Sequence, residues 1–202
     1  PINIKSKKSV PLYKNIKLRY FNMNKSSIEK SKNNIIIDYE NGSHIEYNRN
    51  VYELEKIAFT HRSSHKINGN SFPLEMNLYH SNINNSSDIL IIAIFLKPTS
   101  KLTNKSTKFF DQISKFPSKY GEKTKIKTKK WNITNVFQDI RKFGFYKYNG
   151  SLPRKPCTEN INWIVIKKPS FCSDKFYVKL KKSIGRNAPA EKKLNGRKIY
   201  FN

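Results

Sequence analysis

Between Tyr52 and His80 the chain carries two runs of alternating side-chain character, Glu53 to His61 and Phe72 to His80, separated by a polar segment that contains Asn68-Gly69. Alternation with period two is the signature of strands, and Asn-Gly is a strong hairpin turn. The stretch therefore predicts a pair of antiparallel strands. Just beyond it, Ile89 to Leu96 is apolar at every position, which predicts a strand covered on both faces at the centre of a sheet. Further strands are predicted at Ile16–Tyr20, Phe143–Leu152 and Glu159–Ile166, the last with Ile161, Trp163 and Val165 on one face. Ile35–Tyr39 and His44–Tyr47 read as a hairpin across Asn41-Gly42, and Asn24 to Asn33 reads as a polar loop. Helices are predicted at 105–116, where Phe109, Phe110, Ile113 and Phe116 share an apolar side, and at 173–183.

The chain of 202 residues suits a single domain, and no apolar run approaches the ~18–20 residues of a membrane span. Its charge is far from balanced. Lys and Arg number 40 against 14 Asp and Glu, a net +26, and residues 97–202 hold 27 of the basic side chains against 6 acidic ones. A Lys-, Asn- and Ile-rich composition supplies many lysines by itself, yet it should feed glutamate nearly as well, and glutamate is scarce. The balance points to a polyanionic partner as readily as to drift. The most basic segment, Lys119 to Lys130, holds six lysines in twelve residues and reads as an exposed loop or an edge strand.

Several motifs occur together and in order: Pro1-Ile2-Asn3-Ile4, Tyr52-Glu53-Leu54, Phe72-Pro73, Glu75-x-Asn77, the Ile89–Leu96 run, Gly150-Ser151-Leu152, Glu159-x-Ile161-x-Trp163 and Leu194-Asn195-Gly196-Arg197-Lys198-Ile199. In this order and spacing they resemble the α-class carbonic anhydrases from Pro1 to Asn202. The resemblance implies a mixed α/β, mainly β, fold: one domain over 1–202, with a large, mostly antiparallel twisted sheet and short peripheral helices. Because the chain starts inside a family motif, it also implies an N-terminally truncated domain.

The same resemblance implies what is missing. The family's three zinc-binding histidines fall on Ala58, Thr60 and Asn77. A catalytic zinc needs three protein ligands within ~2.0–2.2 Å and an open position for water; alanine has no donor atom, and threonine and asparagine are poor ligands. The glutamate that orients the gatekeeping hydroxyl falls on Ser64, and the gatekeeper threonine falls on Pro153, which has neither hydroxyl nor backbone N–H. His65, Glu75 and His80 occupy supporting positions. Glu75 is expected to hydrogen-bond the Asn77 amide and leave neither group unsatisfied. A relocated metal site on His61, His65 and His80 is disfavoured, because positions three apart on a strand face opposite sides. The resemblance thus implies a pseudoenzyme without metal or cofactor.

Three functional readings follow. In the first the chain is a binding or scaffold module for a polyanion, either sulfated glycan or RNA, through Lys119, Lys123, Lys125, Lys127, Lys129, Lys130, Arg154 and Lys155. Poxvirus surface proteins, inactive carbonic anhydrase relatives that hold sulfated glycosaminoglycan, are a precedent. The second makes it a structural subunit of a larger assembly such as an organellar ribonucleoprotein. An active zinc carbonate dehydratase with displaced ligands is the third. Family resemblance suggests the secretory pathway or cell surface and leaves an organelle as the alternative. Cys157 matches a cysteine that pairs with an upstream partner in extracellular members, and two cysteines by themselves decide nothing about the compartment.

Overall fold

The computed structural model describes residues 1–11, 16–22, 26–39, 42–101, 105–126, 132–136, 144–153 and 157–202. Its strands are β1 (Asn3–Ile4), β2 (Val10–Pro11), β3 (Ile16–Arg19), β4 (Ser27–Ser31), β5 (Asn34–Asp38), β6 (His44–Tyr47), β7 (Asn50–His61) and β8 (Lys66–Ile67). The second half of the chain adds β9 (Leu74–Asn82), β10 (Asn85–Thr99), β11 (Lys123–Lys125), β12 (Phe145–Ser151), β13 (Glu159–Ile166), β14 (Ser170–Ser173) and β15 (Tyr200–Phe201). Two described helices, α1 (Lys105–Ile113) and α2 (Asp174–Ile184), accompany them.

Thirteen of these strands form one sheet, ordered β11-β4-β5-β7-β9-β10-β13-β12-β15-β2, with β6, β3 and β14 attached beside that path. Most neighbours are antiparallel; β10 runs parallel to β13 and β14, and β15 parallel to β2. β7 and β9 pair as the sequence predicts, and β10 is central, between β9 and β13. Its run is apolar at both parities because alternate residues serve two cores. Leu90, Ile92 and Ile94 join the cluster that includes Phe59, Leu78, Phe110 and Phe176. Ile91, Ala93 and Phe95 join Trp163, Val165 and Tyr148 on the other side. Each Leu, Ile or Phe side chain among them, removed fully from water, contributes about 1.5–3 kcal/mol.

α1 and α2 lie side by side on the first of these faces, with the Phe110 and Phe176 rings 4.8 Å apart. Local chemistry fixes the ends of α2. Ser173 Oγ accepts from the Phe176 amide, Asp174 sits in the first turn and Lys181 and Lys182 in the last, each complementing the helix dipole.

Two sequence expectations are overturned. The polar stretch ending at Asn33 is not all loop: Ser27–Ser31 is β4, paired with β5 through a turn at Lys32-Asn33. Nor do Ile35–Tyr39 and His44–Tyr47 form a hairpin. Both run antiparallel to β7, β5 against Lys56–Ala58 and β6 against Asn50–Glu53, so they lie end to end along one edge of it. The reversal comes later, between β6 and β7, where Asn48 and Arg49 both adopt positive φ (51° and 65°). In the basic segment, Lys123–Lys125 is an edge strand against β4; Lys127 to Trp131 lie outside the described residues.

Candidate functional site

The register of β7 and β9 builds the floor of the site. Ala58 stands directly opposite Asn77, and Thr60 opposite Glu75. Cross-strand partners project to the same side of a sheet, and here that side faces away from the helices. All three positions are nearly closed off from solvent: Ala58 is 8% exposed, Thr60 6% and Asn77 2%. Above Ala58 opens a cleft of about 300 Å³ walled by Ile36, Tyr79, Ile89, Leu152 and Pro153, with Lys56 at its lip.

Thr60 Oγ1 accepts a hydrogen bond of 3.2 Å from Ser64 Oγ, so the two hydroxyl positions are in contact. Asn77 gives its amide N–H to Glu75. Its Oδ1, however, is buried and has no partner among the described residues, which corrects the expectation that neither group would be left unsatisfied. The reason is chemical: an ionised carboxylate only accepts, so Glu75 can take the Asn77 N–H and can give nothing to its Oδ1. Glu75 Oε2 accepts from the His65 amide at 2.8 Å and its Oε1 lies 3.0 Å from His65 Nδ1. His65 Nε2 in turn lies 2.7 Å from the Tyr148 hydroxyl, and Trp163 packs edge-on against the imidazole with ring centroids 4.8 Å apart. Burial alone would push the Glu75 carboxyl up, but its contact with His65 and the N–H donors of His65 and Asn77 outweigh it and hold it below the usual value. Burial likewise pushes the His65 imidazole down.

His80 points to the opposite, helix-bearing side. Its Nδ1 donates to the Leu90 carbonyl at 3.2 Å, which leaves Nε2 to accept from the Tyr20 hydroxyl at 2.8 Å. Burial lowers its pKa to about 3, so the ring is neutral. His61 is apart from both: its Nδ1 contacts the Gly185 carbonyl at 3.1 Å, and its ring meets Tyr177. The three histidines thus occupy three separate environments, and among the described residues no group of three or more His, Cys, Asp or Glu side chains could hold a metal ion. The floor offers a methyl group, a hydroxyl held by Ser64 and an amide whose nitrogen is engaged. That donor set does not fit a tetrahedral zinc ion, and Pro153 on the cleft wall brings neither hydroxyl nor N–H to it.

The basic residues singled out in the sequence are only partly brought together. Lys119 and Lys125 are exposed. Lys123 is not available in the same way, because its ammonium lies 3.0 Å from Glu29 and 3.4 Å from Asp38. Lys127, Lys129, Lys130, Arg154 and Lys155 lie outside the described residues. Sequence reasoning missed Tyr148, which closes the Glu75–His65 chain, and the pair formed by Lys56 and Tyr79. Both were within reach of the period-two rule. Lys56 shares a parity with Ala58, and Tyr79 is its cross-strand partner, one step from Asn77.

With this geometry in view, the whole-chain comparison is decisive: the sequence matches the family profile of eukaryotic-type carbonic anhydrase over residues 1–200. The chain belongs to that family. A carbonic anhydrase of Nostoc sp. is 26% identical over 81% of this chain and 59% of its own length. Among solved structures, a hyperthermostable carbonic anhydrase from an active hydrothermal vent chimney is 28% identical, covering all of this chain and 86% of the other at a TM-score of 0.84. Dioscorin complexed with ascorbate is 22% identical, covering all of this chain and 84% of the other, and shares the carbonic anhydrase fold at a TM-score of 0.81. The chain spans 57–59% of the length of the first curated relatives it matches. No helix among the described residues is long and apolar enough to cross a membrane.

Proposed function

We propose that this carbonic anhydrase family member neither holds zinc nor hydrates CO₂, and that it serves as a binding module for a polyanion. The observation that carries the first half is the Ala58–Asn77 pair: the register that brings the family's ligand positions together is intact, and the atoms that would ligate are gone. The second half rests on where the charge lies. α1 and α2 cover the face opposite the cleft; they carry Lys105, Lys108, Lys181 and Lys182, with Lys115 and Arg186 just beyond their C-terminal ends, all exposed. Of the cations on the two helices, Lys175 has an acidic neighbour, Asp111, at 3.8 Å. Elsewhere several cations sit beside carboxylates, as Lys66 does with Glu191 and Arg197 with Glu159. Lys119 and Lys125 carry the cationic surface from the end of α1 to the sheet edge, and Lys127, Lys129 and Lys130 continue it in sequence; Arg154 and Lys155 belong to the same reading.

Excess positive charge on a two-helix layer attracts phosphate or sulfate chains without reading their sequence. The test is a salt series on heparin fragments and single-stranded RNA with the wild type and two charge-reversed variants, one at Lys105, Lys108, Lys181 and Lys182, the other at Lys5, Lys7 and Lys8. The first variant is expected to weaken binding and flatten the salt dependence, and the second to change little. Equal losses from both would show diffuse attraction by net charge. No binding of either polymer would favour a structural role inside an assembly.

A further inference from the structure

The basic segment between α1 and β11 carries an aromatic ring that nothing covers. Tyr120 is 77% exposed, more than any other large apolar side chain among the described residues, and neither its ring nor its hydroxyl has a partner among them. Aromatic side chains ordinarily bury about 150–250 Å² each, so a ring held in water forgoes a large gain.

The turn beneath it is well pinned. The Glu122 amide donates to the Lys119 carbonyl at 3.3 Å and Gly121 adopts a φ of 79°, the value that a type II turn requires at its third position, so Tyr120 occupies the second. Gly121 and Glu122 then face a single residue of β4: the Gly121 amide donates to the Lys30 carbonyl at 2.8 Å, and the Lys30 amide donates to the Glu122 carbonyl at 3.1 Å. Two residues against one make a bulge with glycine at its first position, a device that ends a ladder and re-aims a side chain. Upstream, Phe116 is buried against Phe176, and its carbonyl accepts from Lys179 Nζ at 2.7 Å. Anchors on both sides thus hold the turn that presents Tyr120 to solvent.

Cations flank the ring along the chain. Lys119 precedes it, Lys125 lies beyond it on β11, and Lys32 follows the end of β4 to which the turn is bonded; all three are exposed. The acid of the turn, Glu122, turns its carboxylate back to accept from the Lys119 amide at 3.3 Å, and Glu29 and Asp38 are engaged by Lys123. A sulfated glycan offers charge without a flat π-face. A single-stranded nucleic acid offers one with every base.

We infer, on the polyanion reading, that the polymer is a single-stranded nucleic acid, with a base stacked on Tyr120 and phosphates beside it on Lys119, Lys125 and Lys32. Every base has a face to stack, so the site grips a strand without reading its sequence.

Three probes separate base from charge: an octaadenylate RNA, an octamer of the same backbone with abasic residues, and heparin octasaccharide. Each is end-labelled and titrated by fluorescence anisotropy with the wild type, Tyr120→Ala and Tyr120→Phe at one salt concentration, and the ring signals of ¹³C-tyrosine-labelled protein are followed alongside. The RNA is expected to move the Tyr120 ring signals upfield, as a base lying over the ring does; those signals are identified by their loss in Tyr120→Ala. The abasic octamer and heparin should not move them. Tyr120→Ala is expected to weaken the RNA by at least about fivefold, the loss of one stacking contact, and to leave the abasic octamer and heparin unchanged. Tyr120→Phe keeps the ring and should hold the RNA near the wild-type affinity. RNA bound no tighter than the abasic octamer, equal losses of RNA and heparin in Tyr120→Ala, or still ring signals would each overturn the stacking while leaving the polyanion reading in place. If none of the three probes binds, both fall.

Discussion

Ala58 and Asn77 face each other across β7 and β9, and one step along the same face Thr60 meets Glu75. Ala58, Thr60 and Asn77, from two strands, therefore share one patch with Glu75 beside them, and three neighbouring positions are what a three-ligand metal site requires. The scaffold beneath them is undiminished. Glu75, His65, Tyr148 and Trp163 still form a continuous buried chain of contacts, and β10 still backs β9 through nine residues from Asn82 to Leu74 with a single irregularity. On the proposed reading, the frame of a metal site stands here without its ligands, so substitution at these positions should rebuild it.

Metal analysis of the wild-type chain after dialysis is expected to find no stoichiometric zinc. The triple variant Ala58→His, Thr60→His and Asn77→His is expected to retain one zinc per chain, because the register already places the three imidazoles together. Its CO₂ hydration should stay far below that of an active family member, since Ser64 and Pro153 still lack the orienting carboxylate and hydroxyl. A folded triple variant that holds no zinc would show that the side chains at these positions do not converge.

His80 gives the fold a built-in acid sensitivity. Its pKa is about 3 in the folded chain against 6.5 as an ordinary imidazole. Below pH ~6.5 the unfolded chain takes up a proton that the folded chain refuses, so the contribution of His80 is complete above that pH and is lost as pH falls toward 3, at about 1.4 kcal/mol per pH unit. Urea midpoints measured between pH 7 and 4 are expected to fall along this slope. In His80→Gln, which keeps a donor and an acceptor, the protein should be less stable at pH 7 but less dependent on pH. An unchanged slope in that variant would assign the acid sensitivity to other groups.

At Gly150 the backbone runs close against the aromatic wall behind the site. A Cβ there would sit 2.7 Å from Tyr148 Cε2 and 3.0 Å from Trp163 Cδ1. Those rings are fully buried and stacked within 4° of parallel, and the Tyr148 hydroxyl is tied to His65, so neither can swing aside. Gly150→Ala is expected to destabilise the fold by about 1–3 kcal/mol, measured as a lower denaturant midpoint with an unchanged slope. A neutral effect would mean that the two rings shift together at little cost.

Much of this was legible in the sequence where burial imposed a period. The β7–β9 register, the central position of β10 and the shared face of Ile161, Trp163 and Val165 all follow from alternation. β4 was hidden because one of its inward positions is Lys30, whose ammonium is satisfied by the carbonyls of Ser31 and Lys32 instead of by an acid; a lysine on the buried parity erases the apolar signal. The β6–β7 reversal was hidden because Arg49 adopts a positive φ that its residue type does not advertise, whereas Asn41-Gly42 advertises a reversal that the two collinear strands do not make. The unpartnered Asn77 oxygen depends on whether any donor is brought to it in the folded chain, and no local pattern encodes that.

Lys123 and Lys125 offer the sharpest test of how the basic surface works. They sit two residues apart on the same side of the edge strand β11, so a polyanion lying along that edge meets both. Glu29 and Asp38 lie beside the Lys123 ammonium and hold its pKa above the usual lysine value, through the hydrogen bond to Glu29 first and the charge of Asp38 next. A polymer that recruits Lys123 must therefore compete with two carboxylates, while Lys125 is exposed and enters without that competition. Each fully engaged lysine releases about 0.7–0.9 counterions from the polymer, which is its share of the slope of log affinity against log salt. Lys125→Ala is expected to lower the slope for heparin or RNA by nearly that amount, and Lys123→Ala to change it by much less. Replacing Glu29 and Asp38 with Gln and Asn should then raise the contribution of Lys123 to match that of Lys125. If Lys123→Ala and Lys125→Ala reduce the slope equally in the wild-type background, the carboxylates do not withhold Lys123 and the edge acts by net charge alone.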